Sequence, residues 1–113
     1  MTSEKAVQIS GFLGLCARAG QLIFGQEACV DAVRRHKAGI ILLDKTSSAN
    51  TRKRFLDTCA THETLLYGME DGAIAKAVGK DVCRVVAVKP GGMTKKMIDL
   101  FQDEAVLTKE QIL

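Results

Sequence analysis

Cys16, Cys29, Cys59 and Cys83, with His36 and His62, are the side chains best equipped for metal or nucleophile chemistry in this 113-residue chain. A zinc site needs cysteine or histidine ligands in closely spaced sets. The sequence has no C-x-x-C pair and no Cys/His cluster at ligand spacing. Three of the four cysteines fall on apolar helical positions, where a thiol behaves as a small hydrophobe. Reduced, mostly buried thiols are expected, and no metal site. A catalytic cysteine needs a histidine partner, and neither histidine sits in a nucleophile motif. Phosphate-cradling loops of the type G-x-x-x-x-G-K-[ST] or G-x-G-x-x-G are absent from the sequence, as are a local carboxylate pair and a Ser/His/Asp set. The expectation is a protein with no catalytic residues and no cofactor.

The charge distribution points elsewhere. The net charge is +3. Residues 1–62 hold nine basic and five acidic side chains, +4, and residues 63–113 hold seven and eight, −1. Arg34, Arg35, Lys37, Lys45, Arg52, Lys53 and Arg54 are opposed within their stretch only by Asp44. A concentrated positive field suits an anionic partner such as nucleic acid; a pair of solvated helix faces is the alternative. Aromatic residues make up only 4% of the chain, which argues against recognition by stacking platforms. The longest aliphatic run, Ile40–Leu43, is too short to span a bilayer, and the N-terminus lacks the zones of a signal peptide. A cytoplasmic location without membrane contact is expected.

The elements that must position these charges follow from periodicity. Ile9, Phe12, Leu13 and Cys16 mark an amphipathic helix over residues 4–18, ended by Gly20. Residues 21–24 form a short strand. Gly25 opens a second helix with Glu27 in its first turn and Arg34, Arg35 and Lys37 at its end. Residues 40–43 are continuously apolar, as a strand buried on both faces requires. Thr46-Ser47-Ser48 caps a third helix. Residues 64–67 form a strand, and Asp71-Gly72 opens a fourth helix. Residues 85–88 form the last strand, and Thr94 is expected to cap a fifth helix. Strict alternation of helix and strand implies an α/β fold, a three-layer α/β/α sandwich with a central four-stranded mixed sheet. Residues 1–101 form one domain, and 102–113 a C-terminal extension in which Thr108 begins a capping-box pattern. The expected core includes Phe12, Leu15, Val30, Val33, Ile41, Leu43, Phe55, Leu66, Ile74, Val78, Val86, Val88 and Ile98.

Three segments carry a resemblance: Gly14 to Gly25, Leu42 to Arg54, and Ala77 to Val88. Together they resemble the kink-turn-binding ribosomal-protein superfamily, the L-seven-Ae and L-thirty-e group, in its small bacterial YlxQ-type branch. The likeness spans residues 4–101 in the same element order. It implies a non-enzymatic protein that binds structured, kink-turn-like or ribosome-associated RNA. It also implies two contact surfaces, the start of the second helix with the strand before it and the loop leading into the last strand. A helix N-terminus offers unpaired N–H groups and a positive dipole end to phosphate, and recognition of this kind reads mostly RNA shape.

Carried over residue by residue, the first surface maps to Gly25, Gln26, Glu27, Ala28 and Asp31, with Arg18 and Gln21 ahead of the strand. The second maps to Lys80, Val82, Cys83 and Arg84. The chain departs from the family pattern at three of these positions. Glu27 stands for an Asn or Lys, Ala28 for a Glu or Gln, and Asp31 for a Lys. Asp31 replaces attraction by repulsion near a polyanion. Weakened RNA binding is therefore one expectation, and a protein–protein interaction module with a degenerate RNA site is the alternative. Arg54 is expected to lie away from both surfaces.

Overall fold

A computed structural model describes residues 2–102 and 104. The Thr2 hydroxyl accepts a hydrogen bond from the Lys5 N–H at 3.1 Å and so starts α1 (Ser3–Arg18). There follow β1 (Leu22–Phe24), α2 (Gln26–Arg34), β2 (Ile40–Asp44), α3 (Ala49–Thr61), β3 (Leu65–Met69), α4 (Ala73–Val78), β4 (Val85–Val88) and α5 (Gly92–Leu100). The strands lie in the order β1-β4-β2-β3. β4 runs antiparallel to both of its neighbours, and β2 runs parallel to β3. The sheet is thus four-stranded and mixed, as expected.

Alternation of side chains along each strand splits the core in two. Ile40, Leu42, Tyr67, Met69, Val86 and Val88 face α1, α4 and α5, where Ile9, Leu13, Cys16, Ile74 and Met97 meet them. Ile41, Leu43, Leu66, Val85 and Ala87 face α2 and α3, with Cys29, Val30, Val33, Phe55 and Cys59. Both central strands, β2 and β4, are buried on both sides, which explains their unbroken apolar runs. Phe101 closes the first cluster by stacking on Tyr67, ring centroids 4.6 Å apart.

Three local expectations are corrected. Leu15 is not core: it is 44% exposed, because the stripe Ile9–Leu13–Cys16 faces the sheet and Leu15 projects off it. Phe12, Val78 and Ile98 are half-buried against the core rather than fully inside. Thr94 does not cap α5, which begins at Gly92 after Gly91. Thr94 is buried within the helix, and its hydroxyl donates to the Lys89 carbonyl at 2.7 Å. The Thr94 side chain also lies on Gly39, where a Cβ would come within 2.3 Å of it, so this close approach needs glycine. The extension expected over 102–113, with its Thr108 pattern, lies outside the described residues apart from Gln102 and Glu104.

Candidate nucleic-acid interface

Strand direction decides which loops meet. Because β4 is antiparallel to β1 and β2, its start lies beside their ends: Val86 pairs with Phe24, and Val85 with Leu43. β3 ends level with β2, Met69 opposite Asp44. One end of the sandwich therefore gathers the β1–α2 turn, the β2–α3 loop, the β3–α4 turn and residues 80–84. A groove of about 630 Å³ opens among them. Its walls are Phe24, Gly25 and Gln26 on one side, Ser47, Ser48 and Thr51 on another, and Lys80, Val82, Cys83, Arg84 and Val85 on the third.

Gly25 makes the first wall possible. Its φ of 96° lies where residues with a Cβ are strained, and it turns the chain from β1 straight into α2. Gly25 has no side chain to cap the helix, so the first-turn N–H groups of α2 have no side-chain acceptor at the N-cap. α3 starts at the same groove, with Ser48 as N-cap accepting from the Thr51 N–H at 3.2 Å. The Thr51 hydroxyl lies 3.4 Å from Gln26 Oε1 and links the two helix starts.

The third wall is cationic around an apolar tip. Lys80 Nζ sits 4.5 Å from the centroid of the Phe24 ring, a cation–π contact. Val82 is 74% exposed, and the Cys83 thiol turns inward toward the Val85 carbonyl at 3.6 Å. Burial pushes the Cys83 thiol above its ordinary pKa, against the smaller effects of that carbonyl contact and of Lys80.

Asp44 fastens these loops. Its carboxylate is 1% exposed and accepts from the Thr46 N–H (2.7 Å), the Thr46 hydroxyl (2.6 Å) and the Gly72 N–H (2.9 Å). Arg84 donates to the Thr46 hydroxyl at 2.9 Å and lies 3.8 Å from Asp44. Burial alone would raise the Asp44 pKa. The Thr46 and Gly72 hydrogen bonds, helped by Arg84, outweigh burial and hold it below the ordinary carboxylate value. Arg84 is thus aimed from beneath by a buried anion while it remains exposed toward solvent.

Of the residues expected to form the interface, Gly25, Gln26, Lys80, Val82, Cys83 and Arg84 come together in the groove. Glu27 and Ala28 are exposed in the first turn of α2 beside it, and Asp31 one turn further on. Asp31 is paired with Arg35 at 3.1 Å. Arg18 and Gln21 do not line the groove. Gln21 lies at the other end of β1, where its carbonyl accepts from Lys89 N–H at 2.9 Å.

The placement of Arg54 is corrected. Rather than lying apart, its guanidinium forks onto Glu27 in the first turn of α2, at 2.5 and 2.8 Å. The hydrogen bond and charge of Arg54, aided by Arg34, hold the Glu27 carboxyl below its usual value.

Ser47, Ser48 and Thr51 line the groove as well, although the sequence does not single them out for it, and Arg52 lies just behind them in α3. Arg52 donates to the Ser47 carbonyl, while Ser47 Oγ and Arg52 Nε are buried with no hydrogen-bond partner among the described residues. The signal that finds them is topological. Once β4 is placed antiparallel to β2, the start of α3 must face the 80–84 loop.

The mixed four-stranded sheet between helical layers is the fold that the sequence resemblance implies. Two curated relatives carry the name RNA-binding protein YlxQ. One, from Bacillus subtilis, is 32% identical over 90 residues, covering 79% of this chain and 90% of its own. The other, from Enterococcus faecium, is 30% identical over 100 residues, covering 88% and 93%. The chain belongs to the YlxQ family. A solved structure of a Bacillus halodurans protein of unknown function superposes with a TM-score of 0.78 at 29% identity, over 83% of this chain and 96% of the other. A Giardia lamblia 15.5 kD RNA-binding protein shares the fold, with a TM-score of 0.70 at 13% identity over 91% and 89%. No family model matches the chain.

No group of three His, Cys, Asp or Glu side chains able to hold a metal occurs among the described residues. No helix among them is long and apolar enough to cross a membrane.

Proposed function

We propose that this chain is a cytoplasmic, non-enzymatic RNA-binding protein that recognises kink-turn-like or ribosome-associated structured RNA through the grooved end of the sandwich. The observation that carries the reading is the convergence of the uncapped start of α2 with Lys80 and Arg84 around one groove. Backbone N–H groups there suit phosphate. The exposed Val82, flanked by the two cations, suits an apolar base face beside a charged backbone. Names of the YlxQ relatives point the same way.

The test is binding to a labelled kink-turn duplex with tandem G·A pairs and to a straight duplex of equal length, across salt. The kink-turned RNA should bind better, and its affinity should fall steeply as salt rises. Lys80→Glu and Arg84→Glu should each weaken binding about tenfold. No retention of either RNA at low salt would overturn the reading in favour of a protein-interaction module.

A further inference from the structure

The grooved end carries one contact between neighbouring helices of the same layer that RNA recognition as described does not use: the fork of Arg54 in α3 on Glu27 in the first turn of α2. The two partners are unequal. The Arg54 side chain is 33% exposed, so its neighbours restrain it, whereas Glu27 is 81% exposed and free to swing away. The guanidinium is thus held beside the uncapped helix start. A carboxylate and a phosphate present similar pairs of oxygens to an arginine fork. A solvent-exposed ion pair contributes little to stability, so exchanging one anion for another here costs little.

We propose that Arg54 is a phosphate-binding residue of the RNA surface, that Glu27 occupies its fork when RNA is absent, and that an RNA phosphate displaces the Glu27 carboxylate on binding. The inference rests on the RNA-binding reading and adds to it both a residue and a brake. Glu27 acts as an internal stand-in for phosphate. It keeps Arg54 in the binding geometry and at the same time competes with weak or misplaced anions. RNA that places a phosphate squarely at the start of α2 displaces it, and RNA that does not meets a closed pair. Glu27 therefore selects for shape although it need not read a base.

A double-mutant cycle tests the exchange, using the same kink-turn and straight duplexes with Glu27→Gln, Arg54→Gln and the pair combined. Thermal melts confirm that each variant is folded, as substitutions in an exposed pair should leave it. Arg54→Gln should weaken kink-turn binding about tenfold and make the salt dependence shallower by about one unit of log–log slope. Glu27→Gln should strengthen binding to both duplexes, proportionally more to the straight one, and its gain should shrink in the Arg54→Gln background. Arg54→Lys, which keeps the charge but not the fork, should restore the salt slope while recovering only part of the affinity.

Unchanged affinity in Arg54→Gln overturns the proposal. Weaker binding in Glu27→Gln overturns it too, because Glu27 would then contact RNA itself. An equal gain from Glu27→Gln in both backgrounds reduces Glu27 to general repulsion and also overturns it. These failures differ from failure of the RNA reading, in which the folded wild type binds neither duplex and Lys80→Glu and Arg84→Glu change nothing.

Discussion

The two ends of the sandwich use the same kinds of residue for opposite purposes. At the grooved end, α2, α3 and α4 begin, and their N-terminal dipoles add to Lys80 and Arg84. At the far end, α2 and α3 finish, and Arg34 and Arg35 sit where helix carbonyls are partially negative. Lys89 is spent there in the same way, its Nζ donating to the Gly20 carbonyl at 3.1 Å. The far end is also closed by backbone. The Gly39 N–H donates to Val88, the Lys89 N–H donates to Gln21, and Thr94 lies on Gly39. The uncapped start of α5 lies at the far end too, with Lys95 and Lys96 in its first turn, so the ends differ in what surrounds their cations: Lys80 and Arg84 border an open groove, whereas at the far end Lys89 is tied to a carbonyl and the loops are tied to each other.

The most severe break of this comparison removes both ends together. Ile41 is fully buried in β2 between two helical layers. Ile41→Asp places an unpaired charge there and should abolish cooperative unfolding, as circular dichroism melts will record.

Next in size, Asp44→Ala should cost about 1–3 kcal/mol in chemical denaturation, because the Gly72 and Thr46 donors are left unpaired. It should also weaken RNA binding by releasing Arg84. Thr94→Val, at the far end, loses one hydrogen bond, costs about 1 kcal/mol and leaves RNA affinity unchanged. If both variants change RNA affinity equally, the two ends are not functionally distinct.

Asp44 also sets a pH signature. Its pKa is lowered by folding, so its stabilising contribution is complete above the unfolded value of about 4 and is lost as pH falls through the lower folded value. Stability of the wild type should drop in that acid range more steeply than that of Asp44→Asn.

A smaller effect is expected at Asp31, whose charge Arg35 already offsets. Asp31→Lys should raise RNA affinity a few-fold and steepen its salt dependence, provided the site lies within the Debye length of about 10 Å at 0.1 M salt.

The gentlest probe is thiol labelling. Cys83, half-buried beside the groove, should react first in the native protein. Cys29 and Cys59, pushed up to about 12 by burial, should react only on unfolding. Tight stoichiometric zinc in the purified protein would contradict four free thiols.

Much of the fold was legible because its strongest signals are local. The unbroken run Val85–Val88 marks a central strand, and Gly25 marks a helix start, within a few residues of sequence. Leu15 misled because α1 carries more apolar residues than its buried stripe needs. Thr94 misled because a threonine near a helix start resembles a cap, whereas its hydroxyl satisfies the Lys89 carbonyl from inside the helix. The candidate site was half legible. Lys80, Arg84 and Gly25 followed from resemblance. Arg54 did not, since its partner Glu27 is 27 residues away and no spacing rule joins one helix face to another. Asp44 read as a lone acid in a basic stretch, and only the crossing of three loops reveals it as their common acceptor.

The strand order carries a consequence for synthesis on the ribosome. β4 is the last strand to be made, yet it lies between β1 and β2. Until it emerges, β1 has no partner and β2 has only the parallel β3. Such non-local pairing is slow to form and leaves strand edges open meanwhile. The loop that carries Lys80 and Arg84 immediately precedes β4, so the strand that completes the sheet also delivers the last wall of the groove. A nascent chain ending before Lys80 has neither. Completion of the sheet and completion of the groove are therefore one event.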